Sequence, residues 1–305
     1  MPWLDPSGAQ LRLGISVAIF ATAALGLSII WGLAGQPSFG HAAVLGVGAY
    51  AVAIATVDHG VDPWVALALA ACCGALASLA MGLCSLRVGA GVLALVTFAL
   101  GEGTRVIERN SGVTHAGDGI AGVPGLPLGR RQLVSSADLY RPALALLALA
   151  YVTCRAVRSS AAGRAMLAVG TDEVAARTLG IRPAPIKLFA FVVGGALTGL
   201  AGGAYAVFAG FVSSPSFGVV ASFQLVIIVI IGGLGSFGGA IAGAVVVEVL
   251  DDQLQAHPDP RLAITGLAMI VVVLARGGAL SAGWASARAL AHRSRRTSPT
   301  ATSAP

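Results

Sequence analysis

The chain has 305 residues and a formal net charge of +6, with only 10% charged residues against 56% hydrophobic ones. Soluble domains carry roughly 25% charged residues, so this chain lacks the polar groups to hydrate its own surface, and a water-soluble globular fold is excluded. Lys187 is the only lysine; in so apolar a chain the arginines read as the positive-inside bias of a membrane protein, and nucleic acid is not expected as a partner.

A bilayer-spanning chain must pair its backbone internally, as a helix or a closed barrel. The apolar runs do not alternate, so they read as helices. The expected fold is all-α and polytopic, with about eight to ten spans at ~20 residues each, short or re-entrant segments included. Residues 1–10 are an N-terminal segment without the basic region and cleavage site of a signal peptide, so the first span is expected to be retained. Apolar runs follow at 11–33, 41–57, 64–86, 91–107, 140–157, 184–208, 221–234, 236–251 and 261–276. They define a transmembrane domain over 11–276, and 277–305 is a basic tail expected to be disordered.

The first run breaks near Gln36, Ser38 and His41. Polar groups at such a break face a central path, or satisfy the backbone that the break frees; the sequence leaves both open. Glu102 and Glu248 lie in or at the end of apolar runs, where an ionisable group is costly and needs a cavity or a partner. Arg105 stands three residues from Glu102, which favours an ion pair over solute contact. The 110–139 connection, with its Gly and Pro residues, is expected on the outer face. Gly195, Gly199 and Gly203 recur every four residues, and Gly239 and Gly243 do the same, which permits close helix crossing, chiefly inside the chain. Gly232, Gly233, Gly235 and Gly239 read as a hinge or a close crossing.

Orientation follows the cations. Arg155, Arg158, Arg164, Arg177, Arg182 and Lys187 cluster in one loop, and Arg288, Arg293, Arg295 and Arg296 lie in the tail; both are expected to be cytoplasmic. Five runs precede the loop, which puts the N-terminus outside and leaves Arg130 and Arg131 external, against the rule. Within this loop (159–183), residues 163–181 form a polar, helix-forming island between spans. Gly170-Thr171-Asp172 reads as a helix start with Thr171 as the capping acceptor, and Gly180 as its left-handed end. The expected helix has about two turns, ~12 Å, with Glu173 and Arg177 as outward charges.

No motif for chemistry is present. Ile186 precedes the lone lysine, so there is no Walker A site. Cys72, Cys73, Cys84 and Cys154 lie within or at the ends of apolar runs and lack metal-ligand spacing, and His41, His59, His115, His257 and His292 are scattered. No catalytic residue, metal or cofactor is expected in this chain.

The island Gly163-Arg-Ala to Glu173-Val-Ala175-Ala176-Arg-Thr-Leu-Gly180-Ile resembles the Glu-Ala-Ala loop of bacterial ABC importer permeases. Trp31-Gly-Leu-Ala-Gly-Gln36-Pro-Ser38-Phe-Gly40-His41 and Gly232-Gly233-Leu-Gly235-Ser236 to Gly239 are similar to early and late motifs of the branched-chain amino acid (Liv-type) permeases. Gly117-Asp118-Gly119-Ile120 and the Gly-Arg-Ala entry favour the M-type subunit. The resemblance covers residues 24–276 in family order.

The resemblance implies a multi-pass subunit of the bacterial inner membrane. Its partners would be a second homologous permease, two ABC ATPases and an extracytoplasmic substrate-binding protein. Glu173, Ala175, Ala176, Arg177 and Gly180 would form the ATPase contact; the candidates for the path are those that the polar break and the intramembrane carboxylate offer, Gln36, Ser38, His41 and Glu102. Spans 140–157 and 184–208 would carry the motion. Branched-chain or other hydrophobic amino acids would be the solute, with urea or short amides as the alternative. A carrier or channel acting alone, and a scaffold without transport, are the rival classes. Gly170 and Thr171 stand where the family often has Arg-Glu, a departure from the pattern.

Overall fold

A computed structural model describes residues 8–254 except 129, 130 and 134. The apolar run 261–276 and the tail, with the arginines at 288–296, His257 and His292, lie outside the described residues. The other eight runs are helices. Helix α1 (Gly8–Leu27) continues as a π-helical stretch over Ser28–Leu33, and α2 (His41–Ala53) does so over Ile54–Asp58. Then come α3 (Pro63–Ser85), α4 (Ala90–Asn110) and α5 (Ser136–Ser159). The short α6 (Ala161–Thr171) and α7 (Glu173–Thr178) precede α8 (Pro183–Ala209), α9 (Val219–Gly232) and α10 (Phe237–Leu254).

Local chemistry sets these bounds. Pro63 opens α3 at a position that needs no amide donor, and the Asp62 carboxylate accepts the Trp64 amide at 2.8 Å. Gly210, with φ +66°, closes α8. Among the described residues six helices are long and apolar enough to cross a membrane. Helices α4 and α10, at 21 and 18 residues, add lengths of ~30 and ~27 Å. The chain is an all-α polytopic membrane protein.

Helices α1 and α2 sit at the centre, whereas α3 and α5 turn Leu76, Leu149 and Val152 outward, as lipid-facing positions should. The small-residue stripe of α8 packs inside the chain. A Cβ on Gly195 would fall on Ser78, one on Gly199 on the Ala70 carbonyl, and one on Gly203 against Val52 and Leu67. On the other side of α8, Gly48 of α2 faces the Gly199 backbone and Gly202 faces the Leu45 carbonyl. Helix α8 is thus wedged between α2 and α3 at backbone contact, which only small residues allow. Gly232 and Gly239 meet likewise across the α9–α10 crossing, and Gly243 meets Ile228. Gly233 and Gly235 take positive φ in the turn between them, so this run is a close crossing with a tight turn.

The two ends of the bundle differ. One carries α6, α7 and the α9–α10 turn, where Arg158 donates to the Gly235 carbonyl at 2.6 Å. Its arginines make this the end that the positive-inside rule assigns to the cytoplasm. The opposite end carries strands that the sequence reading left as loop. Strand β1 (Ile120–Ala121) pairs with β4 (Phe211–Val212), and β2 (Leu126–Leu128) with β3 (Arg131–Leu133), both antiparallel.

Gly199→Val overpacks a contact with no slack and is expected to cost about 3 kcal/mol. Gly103→Ala, where an added Cβ meets nothing within 4 Å, is expected to leave stability unchanged or slightly raised. Thermal unfolding in a mild detergent compares them; equal midpoints would contradict the α8 wedge.

Candidate functional site: the coupling loop and the broken first span

The loop between α5 and α8 is two helices, not the single one expected. The Ser160 hydroxyl accepts the Gly163 amide at 3.2 Å and starts α6. That helix runs through Thr171, whose hydroxyl donates back to the Leu167 carbonyl at 2.8 Å. Thr171 therefore does not cap α7. Asp172 does, its Oδ1 accepting the amides of Val174 and Ala175 at 2.8 and 3.0 Å. The cap falls one residue later because α6 consumes Thr171, and helix α7 is shorter than two turns, at six residues. Gly180, with φ +80°, ends it, and the Ile181 amide reaches the Ala176 carbonyl at 3.1 Å.

The side chains of α7 divide sharply. Glu173 pairs with Arg177 at 2.6 Å and with Lys187 of α8 at 2.6 Å. The hydrogen bond from the buried Lys187 ammonium is the largest influence on the Glu173 carboxyl and, with the charges of Lys187 and Arg177, holds it below its ordinary range against the opposing effect of partial desolvation. Glu173 thus ties α7 to α8 instead of standing free. Ala176 faces inward at 1% exposure; in a helix this short, a residue three positions after Glu173 shares its inward face. Ala175, Arg177 and Gly180 are on the surface. Two apolar side chains stand out beside them: Val174 at 72% and Leu179 at 77% exposure. The sequence reading passed over them as contact residues. The signal was there, since two branched apolar residues in a polar island have no core to enter.

The loop touches the first span. A Cβ on Gly170 would meet the Leu33 carbonyl at 2.6 Å, and Gly35 packs back on Gly170. A bulky residue at 170 would not fit against this carbonyl. Gly32 likewise rests on Gly235 of the α9–α10 turn.

Just beyond, the main chain leaves helix. Gly35 takes φ +65°, and the Gln36 amide bonds to the Ile30 carbonyl at 3.1 Å. The Gln36 side chain donates to the Ala34 carbonyl at 3.1 Å, and the Ser38 hydroxyl lies 2.9 Å from His41 Nδ1. The Phe39 amide donates to Thr97 of α4 at 3.1 Å. Gln36, Ser38 and His41 are all buried. The break brings them together, and the bonds of Gln36 and Ser38 are local ones. Half-buried aromatic rings flank it: Phe39 lies 5.9 Å from Trp31 and 5.9 Å from Phe223, and Phe223 lies 6.3 Å from Phe98. Sequence reading missed this cluster because its rings come from three separate segments.

Glu102 is one turn from Phe98 on α4 and pairs with Arg105 at 2.7 Å, as the spacing predicts. Glu248 of α10 is buried and accepts from Gln224 at 2.7 Å. Glu108, not singled out in the sequence, is buried beside Gly46 and Phe217, and neither carboxyl oxygen has a hydrogen-bond partner. Among the described residues no group of three or more His, Cys, Asp or Glu side chains is placed to hold a metal.

Glycine-locked helices, six of them long and apolar enough to cross a membrane, around a buried break with a capped helical loop at one end define a polytopic all-α membrane protein. Residues 11–273 match the family described as branched-chain amino acid transport system permease component, and the chain belongs to that family. It is similar to the LivM permease protein of Salmonella typhimurium, 30% identical over 88% of this chain and 69% of that protein. Against LivM of Escherichia coli K12 it is 29% identical over 85% of this chain and 66% of that protein. The chain thus spans about two-thirds of the length of these relatives. LivH of Salmonella typhimurium is 24% identical over 87% of this chain and 92% of its own length. No solved structure matches the chain. The chain is a permease component, not an enzyme.

The Glu173 pairing has a pH signature. A carboxylate held below its ordinary value contributes stability above its unfolded pKa of about 4.3, and that stability is lost as pH falls through the lowered value. A nitroxide at Thr178→Cys is expected to keep one mobility from neutral pH to about 5 and to loosen only below about 4. In a Glu173→Gln background it should be loose throughout. Electron paramagnetic resonance line shapes check this, and identical profiles in both backgrounds would refute the tie to α8.

Proposed function

We propose that this chain is a permease subunit of an ATP-driven importer in a bacterial inner membrane. It moves branched-chain or other apolar amino acids inward. Its partners are a second homologous permease, two ATPase subunits and an extracytoplasmic binding protein. The family and the names of the LivM and LivH relatives support the solute class.

The observation that carries the reading is the outward pair Val174 and Leu179 on a helix held from behind by Glu173–Lys187. A surface with two such side chains at the membrane's aqueous face favours a protein partner that covers them. Val174, Ala175, Leu179 and Gly180 form the contact; Glu173 and Ala176 hold the helix to its own subunit. ATP-driven closure of the partners pushes α7 and α6. The push reaches the path by three routes: along α5, along α8 through the Glu173–Lys187 pair, and through Gly170 onto Gly35 at the end of the first span. Alternating access follows as the broken segment shifts.

Val174→Asp and Leu179→Asp place a carboxylate in an apolar contact. Each is expected to leave the permease folded and to lower ATPase co-purification and solute uptake at least tenfold, whereas Thr178→Ser leaves both intact. The check is a mild-detergent pull-down from native membranes together with uptake of labelled leucine. A permease that purifies alone while leucine uptake persists would point instead to a stand-alone carrier.

A further inference from the structure

The Glu102–Arg105 pair sits on a face that lipid does not suit. Each side chain is 27% exposed, on a helix whose first half is an apolar run. Charges there are stable only toward a cavity or a polar partner. Arg105 Nε donates to Oε2 of Glu102 at 2.8 Å, and Nη2 lies 2.7 Å from the same oxygen. This contact uses one carboxylate oxygen and one edge of the guanidinium, whereas a carboxylate carries two acceptor oxygens and a guanidinium five N–H donors. Arg105 is held in place from behind: its carbonyl accepts the Ser214 hydroxyl at 3.1 Å, and its stem lies 3.4 Å from where a Cβ on Gly218 would sit.

One helical turn toward the cytoplasm, the same α4 face presents Phe98, which meets Phe223 and through it Phe39. The face therefore carries a partly exposed ion pair one turn from a half-buried aromatic cluster. This aromatic floor rises from the chain break that α6 touches through Gly35 and Gly170.

We propose that this face is a solute subsite that takes a zwitterionic α-amino acid with an apolar side chain. The ammonium bonds to Glu102, the carboxylate to Arg105, and the side chain lies on Phe98, Phe223 and Phe39. This deepens the importer reading and rests on it. A neutral amide such as urea offers neither formal charge nor an apolar tail, so the face selects against it. Because the floor is part of the break, pressure on the coupling loop disturbs the floor and not the clamp, and the solute loses its side-chain contact first.

The test is a charge exchange in the assembled importer. Single variants Glu102→Gln and Arg105→Gln are expected to raise the KM for leucine uptake more than tenfold, with co-purifying ATPase and its basal hydrolysis retained. In the double variant Glu102→Arg/Arg105→Glu the intrachain ion pair is rebuilt with reversed polarity. A pair that serves only the fold, or that only meets the second permease within the chain's own charge balance, is rescued by the exchange; a clamp for a zwitterion of fixed polarity is not. Leucine uptake that stays more than tenfold impaired in a stable, assembled double variant supports the proposal, and recovery to native KM overturns it. Phe98→Ala supplies a second reading: it should raise the KM for leucine more than that for alanine, and equal effects on both would also overturn the subsite. If the native importer takes up urea and no leucine, the amino-acid reading itself fails, an outcome separate from rescue by the exchange.

Discussion

Between Ala34 and Gly40 the main chain leaves helix while buried inside the subunit, and the rest of the structure is arranged around that fact. A buried amide or carbonyl left unpaired is costly, and protein groups meet several of those that the break frees. The π-helical stretch, the left-handed Gly35, the Gln36 side chain and the Thr97 hydroxyl meet these needs. The break must then lie at the centre of the subunit, away from lipid, and the buried α1 and α2 put it there.

Centrality in turn dictates the glycines. Burying the first two spans needs helices close on every side, and a membrane supplies no hydrophobic drive between helices, so close packing has to do it. Hence α8 touches α2 and α3 backbone to backbone through Gly48, Gly195, Gly199 and Gly202. The same device brings the coupling loop and the α9–α10 turn to the base of α1, through Gly170–Gly35 and Gly32–Gly235. Contacts of this kind have little compressibility, which leaves these elements little room to shift against one another.

Much of this was legible in residue order. Apolar runs without alternation read as spanning helices, the four-residue glycine spacing of α8 read as internal packing, and Glu102 with Arg105 read as a pair. Single-residue detail in the loop was less so. Thr171 and Asp172 are both good caps, and which one serves depends on where α6 stops, a matter of Gly170 fitting against Leu33. The inward turn of Ala176 depends on Lys187, fourteen residues on from Glu173. The aromatic cluster joins positions 31, 39, 98 and 223, and the orphan carboxyl of Glu108 meets Gly46 and Phe217; such juxtapositions exist only in three dimensions.

The wedge of α8 also bears on how such a permease can diversify. A helix whose neighbours lie at carbonyl contact along its length admits almost no substitution, so inherited change there is purged before it can alter what is carried. Helix α4 is different: an added Cβ at Gly91 or Gly103 meets nothing within 4 Å, and its Phe98, Glu102 and Arg105 are only partly enclosed. Room for new side chains therefore lies on α4, whereas the glycines of α8 that meet α2 and α3 leave none.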